Sequence, residues 1–158
     1  MTTLVTGSTG LLGSAIKNMN PSAFVYSSSS DFDLTSFEST LEMFNYYRPT
    51  SVLHLAARVG GIGGNLMRSG EYYKDNILIN THVLEAARIY KVERLYSLMS
   101  TCVFPDKIDY PLVPEQLHQG PPHESNFAYA YTKRMLAVQS AAYRQQFGCR
   151  FSIVVPSN

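Results

Sequence analysis

The chain opens on Leu4-Val5-Thr6, which runs directly into Gly7-Ser8-Thr9-Gly10-Leu11-Leu12-Gly13. An apolar run that gives way to a glycine-rich turn and then to an apolar-periodic segment reads as strand, turn and helix, the start of a dinucleotide-binding unit. Each glycine has its own task there. Gly7 permits the tight reversal, Gly10 lets backbone approach a pyrophosphate, and Gly13 lets the helix from Leu11 to about Met19 lie close on the sheet. Free N–H groups in the first helical turn then attract phosphate. The whole segment, with Ser8, Thr9, Leu11 and Leu12, is therefore a candidate cofactor-binding loop.

Beyond it, apolar strands alternate with helical stretches, the pattern of a parallel sheet covered on both faces. Strands are predicted at 23–26, 52–57, 94–99 and 151–155. Between them lie Ser27-Ser28-Ser29-Ser30, a short Phe32-Asp33-Leu34 segment, and a helix opened by a capping box of Thr35 with Glu38 and closed near Tyr47 by Arg48-Pro49. A glycine-rich turn, Gly60-Gly61-Ile62-Gly63-Gly64, leads to a long helix over about 69–90. The Pro-rich stretch 105–122 is a loop and reads as a wall of the site, because ordered loops of that length rarely lack a function. Residues 126–147 are helical and stop at Gly148. The fold class is α/β, a Rossmann-like doubly wound parallel sheet, and 158 residues suit a single domain over 1–158.

In such a sheet ligands bind outside the carboxyl ends of the strands. That rim collects the glycine turn, Leu55-Ala56-Ala57, Leu98-Met99-Ser100-Thr101 and Pro156-Ser157-Asn158, all candidates for holding the cofactor, with Asp33 and Leu34 near an adenine edge. The second strand ends in serines, without the acidic side chain that usually holds an NAD ribose; this tilts the reading toward NADP, although no arginine stands there for a 2′-phosphate.

The chemistry falls on Ser100, Tyr129 and Lys133. On a helix, positions i and i+4 share a face, so the Lys133 ammonium can approach the Tyr129 phenol and lower its pKa from about 10. Ser100 could orient a carbonyl beside it. In isolation a Tyr–Lys pair is ordinary amphipathic-helix surface; behind a dinucleotide turn it reads as a proton-transfer pair. Cys102 is either a small buried hydrophobe beside Val103 and Phe104 or a base, since a thiol of pKa about 8.5 becomes a usable thiolate next to positive charge. Cys149 reads as a core thiol and His54 as structural. His82 has no metal-spaced partner, and no metal is predicted. His118 and His123 lie in the proline loop, His123 facing either substrate or the loop itself, and Asn76 is placed to fix the sheet rim.

Composition narrows the partners. A net charge of +1 with scattered Lys and Arg gives no basic stripe for nucleic acid. The first strand starts almost at Met1, without a charged leader or long apolar run, which disfavours secretion and membrane insertion. Two cysteines outside any C-x-x-C pair suit a reducing cytoplasm.

The G-x-x-G-x-x-G spacing, together with Ser100 and Tyr129-x-x-x-Lys133, resembles the extended short-chain dehydrogenase/reductase superfamily. Three longer runs, 54–61 (His-Leu-Ala-Ala-Arg-Val-Gly-Gly), 100–107 (Ser-Thr-Cys-Val-Phe-Pro-Asp-Lys) and 120–127 (Gly-Pro-Pro-His-Glu-Ser-Asn-Phe), resemble the GDP-L-fucose synthase family across essentially the whole chain. The resemblance implies an NADP(H)-dependent enzyme that epimerises GDP-4-keto-6-deoxy-D-mannose at the two carbons flanking its ketone and then reduces it. It makes Cys102 the base, Tyr129 the proton donor and Lys133 a ligand of the nicotinamide ribose, and it implies a homodimer. Members run roughly twice this length, so the chain would be an N-terminal half, with the substrate-binding subdomain and a histidine acid beyond Asn158. Another nucleotide-sugar epimerase or dehydratase, and a non-catalytic dinucleotide-binding module, stay open as alternatives.

Overall fold

The computed structural model describes residues 1–19 and 21–156, with backbone alone at 62, 65 and 66. Five parallel strands, β1 (Thr3–Thr6), β2 (Phe24–Ser27), β3 (Ser51–His54), β4 (Arg94–Leu98) and β5 (Phe151–Val154), are ordered β2-β1-β3-β4-β5. Five α-helices connect them: α1 (Leu11–Asn18), α2 (Phe37–Tyr47), α3 (Gly61–Met67), α4 (Ser69–Ile89) and α5 (Phe127–Phe147). From β1 the chain moves one way along the sheet to β2, and every later crossover moves the other way. Right-handed crossovers then put α1 on one face and α2, α4 and α5 on the other. Accordingly α2 packs on α4 and α4 on α5. The reversal between β1 and β3 is the switch point at which sheets of this kind hold ligands.

The sheet face under α4 and α5 changes character along the strands. Leu4, Val52, Leu95 and Phe151 pair side by side across four strands and are fully buried. Each contributes about 1.5–3 kcal/mol by leaving water. Two residues further along, the same face presents Thr6, His54 and Ser97, equally buried but polar. The apolar core thus ends one row short of the carboxyl rim.

Local sequence explains most element ends, with two corrections. Helix α2 is capped by Ser36, whose Oγ accepts from the Ser39 N–H at 3.2 Å, and not by Thr35. Thr35 is taken by Asp33: its N–H and Oγ both donate to Asp33 Oδ1, at 2.9 and 2.7 Å. The Gly60–Gly64 stretch is largely helical rather than a turn, because α3 starts at Gly61 and runs almost into α4. A 3-10 turn, Pro114–Gln116, punctuates the predicted 105–122 loop.

Candidate functional site

The glycine turn is built by close packing. Gly7 has φ 73, and a Cβ there would stand 2.8 Å from the backbone of Ala56, so only glycine lets β1 leave the sheet this close to the end of β3. A Cβ on Gly13 would stand 2.4 Å from the Gly7 carbonyl oxygen, which presses α1 against its own turn. Gly10, the N-cap of α1, offers no side-chain cap, and the first turn holds no acidic residue. The N–H groups of Leu11, Leu12 and Gly13 have no carbonyl four residues back inside the helix, so a partial positive charge faces outward there. This arrangement fits a diphosphate.

A cleft of about 640 Å3 crosses the carboxyl ends of β1 to β4. The turn contributes Gly7, Thr9, Gly10, Leu11, Leu12 and Gly13; the end of β3 contributes Leu55, Ala56 and Ala57; β4 contributes Leu98 and Met99; α5 contributes Tyr129 and Lys133; and Asp33 and Leu34 line the far end. Five other predicted residues are not on this wall. Ser8 is buried and donates its N–H to Ser27 O at 3.1 Å, facing β2. Ser100, Thr101 and Cys102 enter a 3-10 turn, Thr101–Val103, closed by Val103 N–H to Ser100 O at 3.1 Å and drawn toward α5 by Arg134, whose Nε donates to Val103 O at 2.6 Å. Pro156 follows β5, one strand beyond the last strand under the cleft. Ser157 and Asn158 lie outside the described residues.

Sequence reasoning missed Ser27, Ser28, Ser29, Phe32, Thr35, Arg58, Val59 and Ile79 on the wall. Arg58 carried a readable signal: it is the first cation after the β3 strand end. Its guanidinium pairs with Asp75 and lies 5.4 Å from the centre of the Tyr72 ring. Asn76 holds the Arg58 backbone at both N–H and carbonyl, each at 2.8 Å, so this asparagine does fix the rim, through backbone contacts. At the other end Asp31 accepts from both the N–H and the Oγ of Ser28, at 2.8 and 2.7 Å, and those bonds hold its carboxyl below the usual range.

Tyr129 and Lys133 meet near the start of α5, with Lys133 Nζ 5.9 Å from the Tyr129 ring centre. The ammonium donates to the Leu98 carbonyl at 3.0 Å. Burial, reinforced by the charge of Cys102, pushes the Tyr129 hydroxyl up to about 12. This corrects the expectation that Lys133 lowers it: desolvation of the phenol outweighs an ammonium committed to a backbone carbonyl. Burial also brings Lys133 down to about 8, with the Cys102 charge opposing that shift. Cys102 is therefore close enough to act electrostatically on both groups. Tyr129 stays protonated at neutral pH and is equipped to give a proton rather than take one.

The remaining candidates have structural partners. His54 is fully buried and held neutral, its pKa down to about 3 through desolvation and the nearby Lys133 charge. His82 Nδ1 bonds Leu34 O at 3.0 Å, and His123 Nδ1 bonds Ser125 Oγ at 2.8 Å, which stabilises the loop. Cys149 packs against the hydrophobic core, and burial raises its pKa. Among the described residues no group of three or more His, Cys, Asp or Glu side chains could hold a metal.

A parallel sheet with a glycine-rich turn at its switch point, and a tyrosine and lysine on the same rim, defines a Rossmann-like dinucleotide-binding domain. The chain belongs to the NAD dependent epimerase/dehydratase family, which it matches over residues 3–158. It is 44% identical to the GDP-L-fucose synthase of Dictyostelium discoideum over 99% of this chain and 51% of that protein. It is 41% identical to a probable GDP-L-fucose synthase of Drosophila melanogaster, over 98% of this chain and 50% of that protein. The crystal structure of a GDP-L-fucose synthetase from Naegleria fowleri bound to NADP superposes with a TM-score of 0.91 at 41% identity, covering 99% of this chain and 53% of that one. The chain spans about half the length of the curated relatives it matches.

Proposed function

We propose that this chain is the cofactor-binding and proton-transferring part of a GDP-L-fucose synthase, an NADPH-dependent epimerase-reductase acting on GDP-4-keto-6-deoxy-D-mannose. The observation that carries the reading is the meeting, in one cleft, of an uncapped helix start suited to a diphosphate with Tyr129 and Lys133. The relatives' names support the choice of substrate. NADPH, when bound, supplies a hydride to the ketone carbon. The first turn of α1 would hold its diphosphate, Ser27, Ser28 and Ser29 would serve its adenosine ribose, and Lys133 its nicotinamide ribose.

Epimerisation needs removal of a proton alpha to the ketone. Cys102, as thiolate, takes that proton; the electron pair moves onto the ketone oxygen, and Ser100 and Tyr129 donate hydrogen bonds to the resulting enolate. In the reduction step the Tyr129 hydroxyl gives its proton to the same oxygen. The substrate-binding part belongs to the half of the relatives' length that this chain does not span. A homodimer through the outer face of α5, where Phe127, Tyr131 and Val138 are exposed, and a cytoplasmic setting complete the reading. No helix among the described residues is long and apolar enough to cross a membrane.

The test is to mix the purified full-length protein that contains this chain with NADPH and GDP-4-keto-6-deoxy-D-mannose and follow NADPH absorbance beside a sugar-free control. Sugar-dependent oxidation is expected. NADPH bound, as read by its fluorescence, without any oxidation would reduce the chain to a dinucleotide-binding module.

A further inference from the structure

A chain of hydrogen bonds runs through the buried polar row of the sheet. Thr6 Oγ1 accepts from the Ala56 N–H at 3.3 Å and lies 2.8 Å from His54 Nδ1. His54 Nε2 lies 3.1 Å from Asn80 Oδ1, and Asn80 Nδ2 donates to the Thr132 carbonyl at 3.0 Å. Thr6, His54, Asn80 and Thr132 are all fully buried.

The direction of every bond follows from one end. A carbonyl only accepts, so the Asn80 group facing Thr132 O is its amide N–H, and its Oδ1 faces the histidine. His54 Nε2 must then carry the ring proton. Because the ring is neutral, Nδ1 is bare and receives the Thr6 hydroxyl proton, while Thr6 Oγ1 keeps a lone pair for Ala56 N–H. Each group is satisfied in one way only, and a buried network in that condition is stiff, since any break leaves an unpaired polar atom in a dry site.

The ends of this chain matter more than its middle. Ala56 lines the cleft and meets Gly7 at the closest approach of the glycine turn. Thr132 sits between Tyr129 and Lys133 and also donates its Oγ1 to the Tyr129 carbonyl at 2.6 Å. We propose that Thr6, His54 and Asn80 are positioning residues: a one-way relay that fixes the helix of Tyr129 and Lys133 against the turn that holds the cofactor diphosphate. The assignment of what is being positioned rests on the function proposed above; the relay itself rests on geometry alone.

Three measurements on the same chain test it. Nitrogen-15 spectra of the histidine rings should find His54 protonated at Nε2 and bare at Nδ1 through neutral pH; the opposite tautomer overturns the relay. Thr6→Val keeps the shape and removes the hydroxyl, whereas Thr6→Ser keeps the hydroxyl. Thr6→Val should move the backbone amide resonances of residues 129–133, on a different element, and Thr6→Ser should return them. Resonance changes confined to the neighbourhood of Thr6 overturn the positioning claim. In the turnover assay Thr6→Val should lower kcat about tenfold, as for catalytic groups displaced by a fraction of an ångström, with NADPH affinity within about twofold and activity regained in Thr6→Ser. Unchanged kcat also counts against it. A wild-type chain without sugar-dependent oxidation sinks the proposed function instead, and the two spectroscopic results then decide the relay on their own.

Discussion

Lys133 Nζ donates to the Leu98 carbonyl at 3.0 Å, so the ammonium beside the Tyr129 ring is anchored by the end of β4 and not by the phenol oxygen. Its charge is held in a buried place at a cost, and that cost is measurable.

Lys133→Met should make the domain more stable and less active together. Moving Lys133 from 10.5 to about 8 corresponds to about 3 kcal/mol of burial penalty on the charged form. Losing its hydrogen bond offsets about 1 kcal/mol, leaving a net gain of about 2 kcal/mol in a urea titration at pH 7. The sign extends to pH. Between about 8 and 10.5 the unfolded chain keeps this proton while the folded one has released it, so wild-type stability rises through that window. The rise should shrink in the methionine variant, while ketone reduction is lost.

His54 sets an acid limit. Its folded pKa of about 3 lies below the ordinary 6.5, so the unfolded state binds a proton first as pH falls. Stability should decline below pH 6.5 by about 1.4 kcal/mol per unit from this group. Denaturant titrations at pH 7, 6 and 5 should give a shallower decline in His54→Gln; an equal slope would remove His54 as the cause.

Gly13→Ala and Gly63→Ala should diverge. The added methyl at Gly13 meets backbone at 2.4 Å and should destabilise by about 2 kcal/mol or more while abolishing NADPH binding. At Gly63, inside α3, nothing stands within 4 Å, and alanine should gain about 0.5–1 kcal/mol with binding unchanged. Thermal melts with and without NADPH separate the two.

Cys102→Ser and Tyr129→Phe should split the proposed reaction. Without the thiol, solvent-deuterium exchange into the ketosugar should fall about 10²–10⁴-fold. Without the phenol, NADPH oxidation should be lost with cofactor affinity retained, while exchange, read separately, persists. Normal exchange in Cys102→Ser would give the alpha proton to another base.

Much of this was legible in the chain. The turn at Gly7 to Gly13 and the i, i+4 spacing of Tyr129 and Lys133 depend on local backbone, and local patterns carry that information. The error over Thr35 and Ser36 was also local: two adjacent hydroxyls compete for one cap, and Asp33 decided by claiming Thr35. What could not be read were relations between distant segments. The phenol's raised pKa depends on how deeply α5 sinks beside β4. The relay from Thr6 to Thr132 needs β1, β3, α4 and α5 in register. Ile79 lines the cleft from α4, a placement set by how that helix packs on the sheet, and no residue-level signal announces it.

The strand order β2-β1-β3-β4-β5 also sets a timetable. The glycine turn leaves the ribosome ahead of the other walls of its cleft, which come from residues 55–59, 98–99 and 129–133. A nascent chain that has made the turn has nothing to close over a dinucleotide until α5 has emerged and docked. Cofactor therefore cannot guide the early steps of folding; it rewards the finished sheet, adding about 2.7 kcal/mol at a hundredfold excess over its Kd. Protection from protease by NADPH should consequently cover β1 through α5 as one unit, with no segment shielded ahead of the rest.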